Sequence, residues 1–218
     1  MMEYQRSQEF ANEFRQRDLR LLIGEVLNEE TLYATYNAPD GGLESLKIEV
    51  ANYYGDSTAD RILKNYSLPG PDAVDQAWKD LFGRIISDGQ VRAPSRALVK
   101  TLIDHGTPLD KIWRYQIAYR LSFITEKIAP KSFGVAHAMD KPFWNFSILH
   151  GPTPKERTLM DEWIEILVAF VKDDKNYVFG TKSAAEMKVA TSDAAIEIEF
   201  DEKFEKLATL GDVFAGKA

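Results

Sequence analysis

What most constrains this chain is a shortage of strands. Three stretches carry strand grammar: Arg20–Gly24 (RLLIG), Ile112–Tyr119 (IWRYQIAY) and Ala195–Phe200 (AIEIEF). RLLIG is a short apolar run closed by glycine, the pattern of a strand buried on both faces. IWRYQIAY alternates large apolar with polar residues, and AIEIEF alternates as an edge strand does. Most of the remaining patterned sequence is helical, so the expectation is a helix-rich α/β protein with few strands and an incomplete central sheet.

Glycine and proline place the helices. After the turn cluster at 37–42, Leu43, Leu46, Val50 and Tyr53 recur at helical spacing, and Gly55 ends the run. Ser57 with Asp60 predicts a capped short helix reaching Tyr66, stopped by Leu68-Pro-Gly-Pro. Asp72 is the expected cap of a longer helix with the face Val74, Trp78, Leu81, Phe82 and Ile85. Pro94 opens the next, which buries Ala97, Leu98 and Leu102 and stops at Gly106. Leu159, Trp163, Ile166, Leu167 and Phe170 mark the strongest helix, over Thr158–Val171, whose Trp and Met read as core. A closing helix is expected over Lys203–Phe214. Residues 1–17 read as a polar lead-in, a short amphipathic helix or a frayed end, ahead of one partial domain over 18–218.

Composition removes several classes of function. With 27 basic against 34 acidic residues the net charge is −7, and no basic stripe interleaves with aromatics. Nucleic acid and anionic membrane surfaces are therefore not the expected partners. The absence of cysteine excludes disulfides, thiol catalysis and thiolate metal sites. The first 18 residues have no apolar core to act as a signal peptide. The longest apolar run, Ile166–Val171, is too short for a membrane span. A cytoplasmic location is the default expectation, and a secreted one follows if a segment precedes Met1. The sequons at Asn65 and Asn145 matter only in the second case.

The chemistry gathers in two stretches. Lys131–Phe146 (KSFGVAHAMDKPFWNF) holds His137 where Pro130, Gly134 and Pro142 argue against a long helix, so the imidazole should ride on a loop. Gly24–Tyr33 (GEVLNEETLY) leaves the first strand and carries Glu25, Glu29 and Glu30. By composition these are most simply solvated carboxylates near a helix N-terminus. A carboxylate at a strand end can instead hold a histidine in its working tautomer. His105, His137 and His150 lack metal-ligand spacing, and no loop reads as a calcium site, so no metal or organic cofactor is implied. His105, before Gly106, reads as a cation favoured at a helix C-terminus.

Both stretches resemble the type-B carboxylesterase/lipase family, the cholinesterase-like α/β-hydrolases, and its fungal members in particular. RLLIGEVLNEETLYA is similar to the family strand followed by an Asp/Asn-Glu-Gly-Thr/Ser-aromatic motif, which puts Glu29 at the triad acid. GVAHAMDKPFWNF is similar to the Gly-x-x-His-Gly/Ala-x-Asp/Glu loop, which puts His137 at the triad base and Asp140 at its acidic position. SDGQVRAPSRALVKTLIDHG, IWRYQIAYRLSF and ERTLMDEWIEILVAFVKD resemble the flanking elements, so the likeness covers about residues 18–173, the C-terminal part of the family's fold.

The departures shape the expected function. Glu30 stands at the family's glycine and Lys141 at an apolar position. The Gly-x-Ser-x-Gly elbow and the glycine-rich oxyanion loop are missing. The nearest match, Gly55-Asp-Ser-Thr-Ala59, follows a helical pattern and ends in Ala, so Ser57 reads as a helix cap. The resemblance thus implies a carboxylic ester hydrolase in which this chain supplies the acid and the histidine, is inactive alone, and joins an N-terminal half carrying the nucleophile. Its substrate would be a small carboxylic ester, with Phe143, Trp144 and Phe146 as candidate pocket walls or plain core. The alternative is a non-catalytic binding or interaction module derived from the fold. The two-residue site requires the Glu29 carboxylate and His137 Nδ1 to converge.

Overall fold

The computed structural model of the chain describes residues 2–36, 38–70, 72–145 and 151–217. Four strands form one open sheet in the order β1 (Leu21–Val26), β2 (Ile112–Ile117), β3 (Glu186–Ala190), β4 (Ile196–Phe200). β1–β2 and β2–β3 are parallel and β3–β4 antiparallel. The three strands legible in sequence are all present. β3 was missed because Glu186-Met-Lys-Val-Ala alternates over only five residues.

Alternation divides each strand between two cores. Leu22 and Val26 of β1 and Trp113 and Ile117 of β2 face one side, where helix α9 (Pro154–Val171) packs Leu159, Met160, Trp163 and Ile166 against them. Leu21, Ile23 and Ile112 face the other side, against Val99 and Leu102 of α7 (Ala93–Asp104). The lead-in is helical there: α1 (Met2–Gln5) precedes α2 (Gln8–Gln16), which buries Ala11 and Phe14 in this same core. A third core joins α4 (Gly42–Tyr54), α5 (Asp56–Leu63), α6 (Asp75–Ser87) and α10 (Phe204–Phe214) around Trp78, Phe82 and Ile86. Helices α3 (Glu30–Thr35) and α8 (Lys141–Asn145) flank the site described below.

Several local expectations are corrected. Pro94 stands in the first turn of α7 as expected, but α7 is not a separate helix: α6 continues into it through a π-helical segment, Asp88–Arg92. Proline has no N–H for the ordinary ladder, and the widened turn before it takes up the register change. Asp72 is not a cap, since α6 starts from Val74 without a side-chain cap bond. Ser57 is not one either: Gly55, with φ +78°, precedes α5, and Ser57 lies exposed in its first turn. That helix ends at Leu63, short of Tyr66. The helix α9 starts earlier than its apolar pattern, because Thr153 and Glu156 form a reciprocal capping box ahead of it.

Candidate active site

Glu29 is placed by the end of β1. The parallel ladder runs one residue past the strand, where the Leu27 N–H donates to the Ile117 carbonyl at 3.0 Å. The chain then turns into α3, with Glu29 in the helical region at its N-cap position (φ −55°, ψ −33°). The carboxylate folds back under the turn: its Oε1 accepts the Val26 N–H at 3.1 Å. Its Oε2 lies 2.7 Å from His137 Nδ1. Glu29 is only 3% exposed, whereas the His137 side chain is 47% exposed. A carboxylate at this end can only accept, so the shared proton belongs on Nδ1 and Nε2 is left as the free lone pair. Among the described residues Nε2 has no hydrogen-bond partner. The two expected site residues therefore converge.

The histidine loop is held from three sides. Arg120, just past β2, donates from Nη1 to the carbonyls of Pro130 (3.1 Å) and Gly134 (2.6 Å), and from Nη2 to those of Ile124 (3.1 Å) and Ala129 (2.7 Å). A planar five-donor guanidinium suits such a clamp, and a lysine does not. From the acid's side, the Asn28 N–H donates to the Val135 carbonyl at 2.9 Å, and the Val135 N–H donates to Asn28 Oδ1 at 3.0 Å. Thr31 adds a hydroxyl bond to the Phe133 carbonyl at 2.9 Å. From below, Asp140 accepts from the Tyr115 hydroxyl at 3.1 Å and from Trp144 Nε1 at 3.3 Å, tying the loop to β2. Burial, reinforced by Asp140, pushes the Tyr115 phenol up, so it remains the donor. Gly24, beside Tyr115 in the register, leaves room for that ring, which a Cβ would overlap. Asn28 and Thr31 match the first and fourth positions of the motif that holds Glu29, but neither their loop-holding bonds nor those of Arg120 can be read from the sequence, since their targets are backbone groups that only the fold brings near.

Beside His137 opens an apolar hollow of about 400 Å³, lined by Leu32, Tyr36, Ile124, Phe133, Met139 and Pro142 among others. Of the aromatic set read as pocket walls or plain core, the two described members pack as core. Phe143 is fully buried against Trp163, and Trp144 packs edge-on to Tyr115 and Trp163. Phe146 and His150 lie outside the described residues, as does Ser147 of the second sequon. Tyr33 sits 6.5 Å from the His137 ring, and burial, with Glu29 adding to it, pushes its phenol up.

The other acidic residues of the stretch are each paired with an arginine. Glu25 pairs with Arg96 through both oxygens, at 2.6 and 2.9 Å, and both side chains are buried. Arg96 and Arg114 share Asp201, each at 2.7 Å. Glu30 pairs with Arg92, which also donates to the Leu27 carbonyl at 3.2 Å. Burial alone would push the Glu30 carboxyl up, but Arg92 outweighs it and the net displacement is downward. Since Glu30 starts a helix, glycine's conformational freedom is not required there. Lys141 is exposed at the rim of the hollow. His105 is the C-cap of α7, with Nδ1 2.8 Å from the Thr101 carbonyl. No cluster of three or more His, Asp or Glu fit to hold a metal occurs among the described residues. No described helix is long and apolar enough to cross a membrane.

Comparison with known proteins bears on this geometry. Residues 4–209 match the carboxylesterase family. The chain is 34% identical to an uncharacterized esterase/lipase of Schizosaccharomyces pombe over 212 residues, covering 95% of this chain and 39% of that protein. It is 25% identical to a carboxylic ester hydrolase of Gibberella moniliformis over 202 residues, covering 90% of this chain and 37% of that protein. The chain thus spans about two fifths of the length of the curated relatives it matches.

Proposed function

The chain belongs to the carboxylesterase family, and on that premise we propose that it supplies the acid and the base of a serine ester hydrolase. The nucleophile and the oxyanion donors come from a segment outside these 218 residues. The observation that carries the reading is the 2.7 Å contact between Glu29 Oε2 and His137 Nδ1, with Nε2 free at the surface. In the reaction, Nε2 takes the proton of an attacking serine as its Oγ bonds to the ester carbonyl carbon. The resulting imidazolium, stabilised by Glu29, returns that proton to the alkoxide leaving group, and the alcohol departs. Water, deprotonated by Nε2, then releases the acid and restores the serine. The hollow beside His137 favours esters with an apolar acyl or alkyl group.

The test mixes the purified chain with the remaining segment of the fission-yeast relative, using a fluorophosphonate read by intact mass and a short-chain p-nitrophenyl ester. The expected result is an adduct on the added segment only, with turnover that His137→Ala removes. An adduct on this chain, at Ser57 or elsewhere, or turnover indifferent to His137→Ala, overturns the reading.

A further inference from the structure

We infer that Arg92 is a positioning residue for the ester hydrolysis described above: from the π-helical segment it fixes the turn on which the acid Glu29 stands. The inference rests on the function proposed there and adds the group that sets the acid's place from outside the histidine loop.

The turn over residues 27–30 is braced on two sides. On one side Asn28 and Thr31 register it against the histidine loop through the main chain of Val135 and Phe133. On the other side Arg92 Nη2 donates to the Leu27 carbonyl at 3.2 Å and pairs with Glu30 Oε2. Asn28 and Glu29 thus lie between two points held by one guanidinium nitrogen. Arg92 makes no bond to Glu29 or His137 among the described residues, so it acts through the turn.

Arg92 is itself held. Its Nη1 donates to Ser87 Oγ at 3.2 Å and to Asp88 Oδ1 at 3.5 Å. The Tyr66 hydroxyl donates to the other Asp88 oxygen at 2.9 Å. Ser87 and Asp88 are both buried, so the anchor belongs to the packed body of the helix rather than to the surface. Gly83, one turn earlier in α6, brings that helix close against α3: a Cβ there would overlap the Glu30 carbonyl and Ala34. Tyr66 packs against the third core, and the chain from Tyr66 through Asp88 and Arg92 to Glu30 ties the acid's turn to it. The π turn ends on Arg92. It holds more residues than an α turn, which re-aims the side chains after it, and such segments recur at functional sites.

The pair is not part of the motif that marks Glu29. That motif has glycine where this chain has Glu30, and Arg92 lies 62 residues further on. The departure is therefore matched by an arginine that only the fold brings to it. The chemistry gives such a brace its use. Glu29 has to stay at hydrogen-bond distance from Nδ1 as the imidazolium forms, and a misplacement on the order of 1 Å can cost about a hundredfold in rate.

The test compares Arg92→Lys, Arg92→Ala and Glu30→Gln in the full chain by long-range ¹H–¹⁵N spectra of His137. An ester assay with the remaining segment of the fission-yeast relative runs beside it. Lysine keeps the charge but brings its donors to one point and cannot bridge both sides. The His137 Nδ1 proton should exchange roughly tenfold faster, or more, in both Arg92 variants. Glu30→Gln keeps an acceptor for Arg92 and should lose less. In the assay kcat should fall roughly tenfold to a hundredfold in the Arg92 variants, with KM unchanged. An Nδ1 proton as protected as in the wild type, in variants that unfold cooperatively at lower urea, makes Arg92 a stabilising ion pair alone and overturns the inference. If Arg92→Ala fails to fold, Arg92→Lys and Glu30→Gln decide. A wild-type mixture without turnover removes the proposed function instead, and the spectra then decide by themselves whether Arg92 places Glu29.

Discussion

Asn28 and Val135 exchange two hydrogen bonds, N–H to carbonyl at 2.9 Å and N–H to Oδ1 at 3.0 Å, each within two residues of a member of the Glu29–His137 pair. The turn after β1 and the histidine loop are thereby locked in one register. Gly134 makes the lock possible: its φ is +60°, and a Cβ there would overlap Asn28 Oδ1. Replacing Asn28 with Ala leaves the Val135 N–H without its acceptor, at a cost of about 1–3 kcal/mol. Urea denaturation measures that loss, and the His137 Nδ1 proton should exchange faster in the variant.

Arg120 makes the complementary prediction. Arg120→Lys keeps the charge but cannot span four carbonyls, so the loop should loosen while the sheet persists. A stability loss of about 1–3 kcal/mol is expected, with faster amide exchange confined to residues 124–138. Exchange that rises equally in β1 and β2 would instead assign Arg120 to the core as a whole.

The buried carboxylates Asp201 and Asp88 should respond to pH with opposite sign. Burial would raise the Asp201 carboxyl, but Arg96 and Arg114 outweigh it and hold it below the ordinary range. Its contribution to stability is therefore present above about pH 4 and lost as pH falls through the lower folded value. Asp201→Asn removes the carboxylate that faces Arg114 and leaves Arg96 with Glu25 alone, and should cost about 3–5 kcal/mol at pH 7, a gap that narrows only below about pH 4. For Asp88 burial prevails over Arg92 and Tyr66, so its carboxyl is raised. Its contribution is full below about pH 4 and lost as pH rises through the folded value. Asp88→Asn should cost less than Asp201→Asn, and should gain on the wild type as pH rises. Chemical denaturation across pH 3–8 checks both signs.

Gly24→Ala tests how the sheet supports the loop. The added methyl would overlap the Tyr115 ring and carbonyl, at a cost of about 1–3 kcal/mol. Because Tyr115 donates to Asp140, the strain should reach the histidine loop and appear as altered Trp144 fluorescence.

The sequence carried the Glu29–His137 pair further than its supports. Glu29 and His137 were legible because a strand end, a loop and an order of residues mark them locally, although 108 residues separate them. The clamping contacts of Arg120 and Asn28 were not, since both bind main-chain groups that any sequence would supply. Glu25 was misread for a related reason: its partner Arg96 lies 71 residues away, and composition cannot show that a carboxylate is paired. The π-helical segment before Pro94 was hidden because a proline in a helical pattern reads equally as a start.

In the proposed function Glu29 fixes the tautomer of His137, and the imidazole nitrogens report it directly. Long-range ¹H–¹⁵N spectra of the chain near pH 8 should show the proton on Nδ1, with a downfield resonance, and an unprotonated Nε2. Glu29→Ala should abolish the downfield proton and give a mixture of tautomers. A proton resident on Nε2 in the wild type, or a tautomer indifferent to Glu29→Ala, would contradict this role of Glu29.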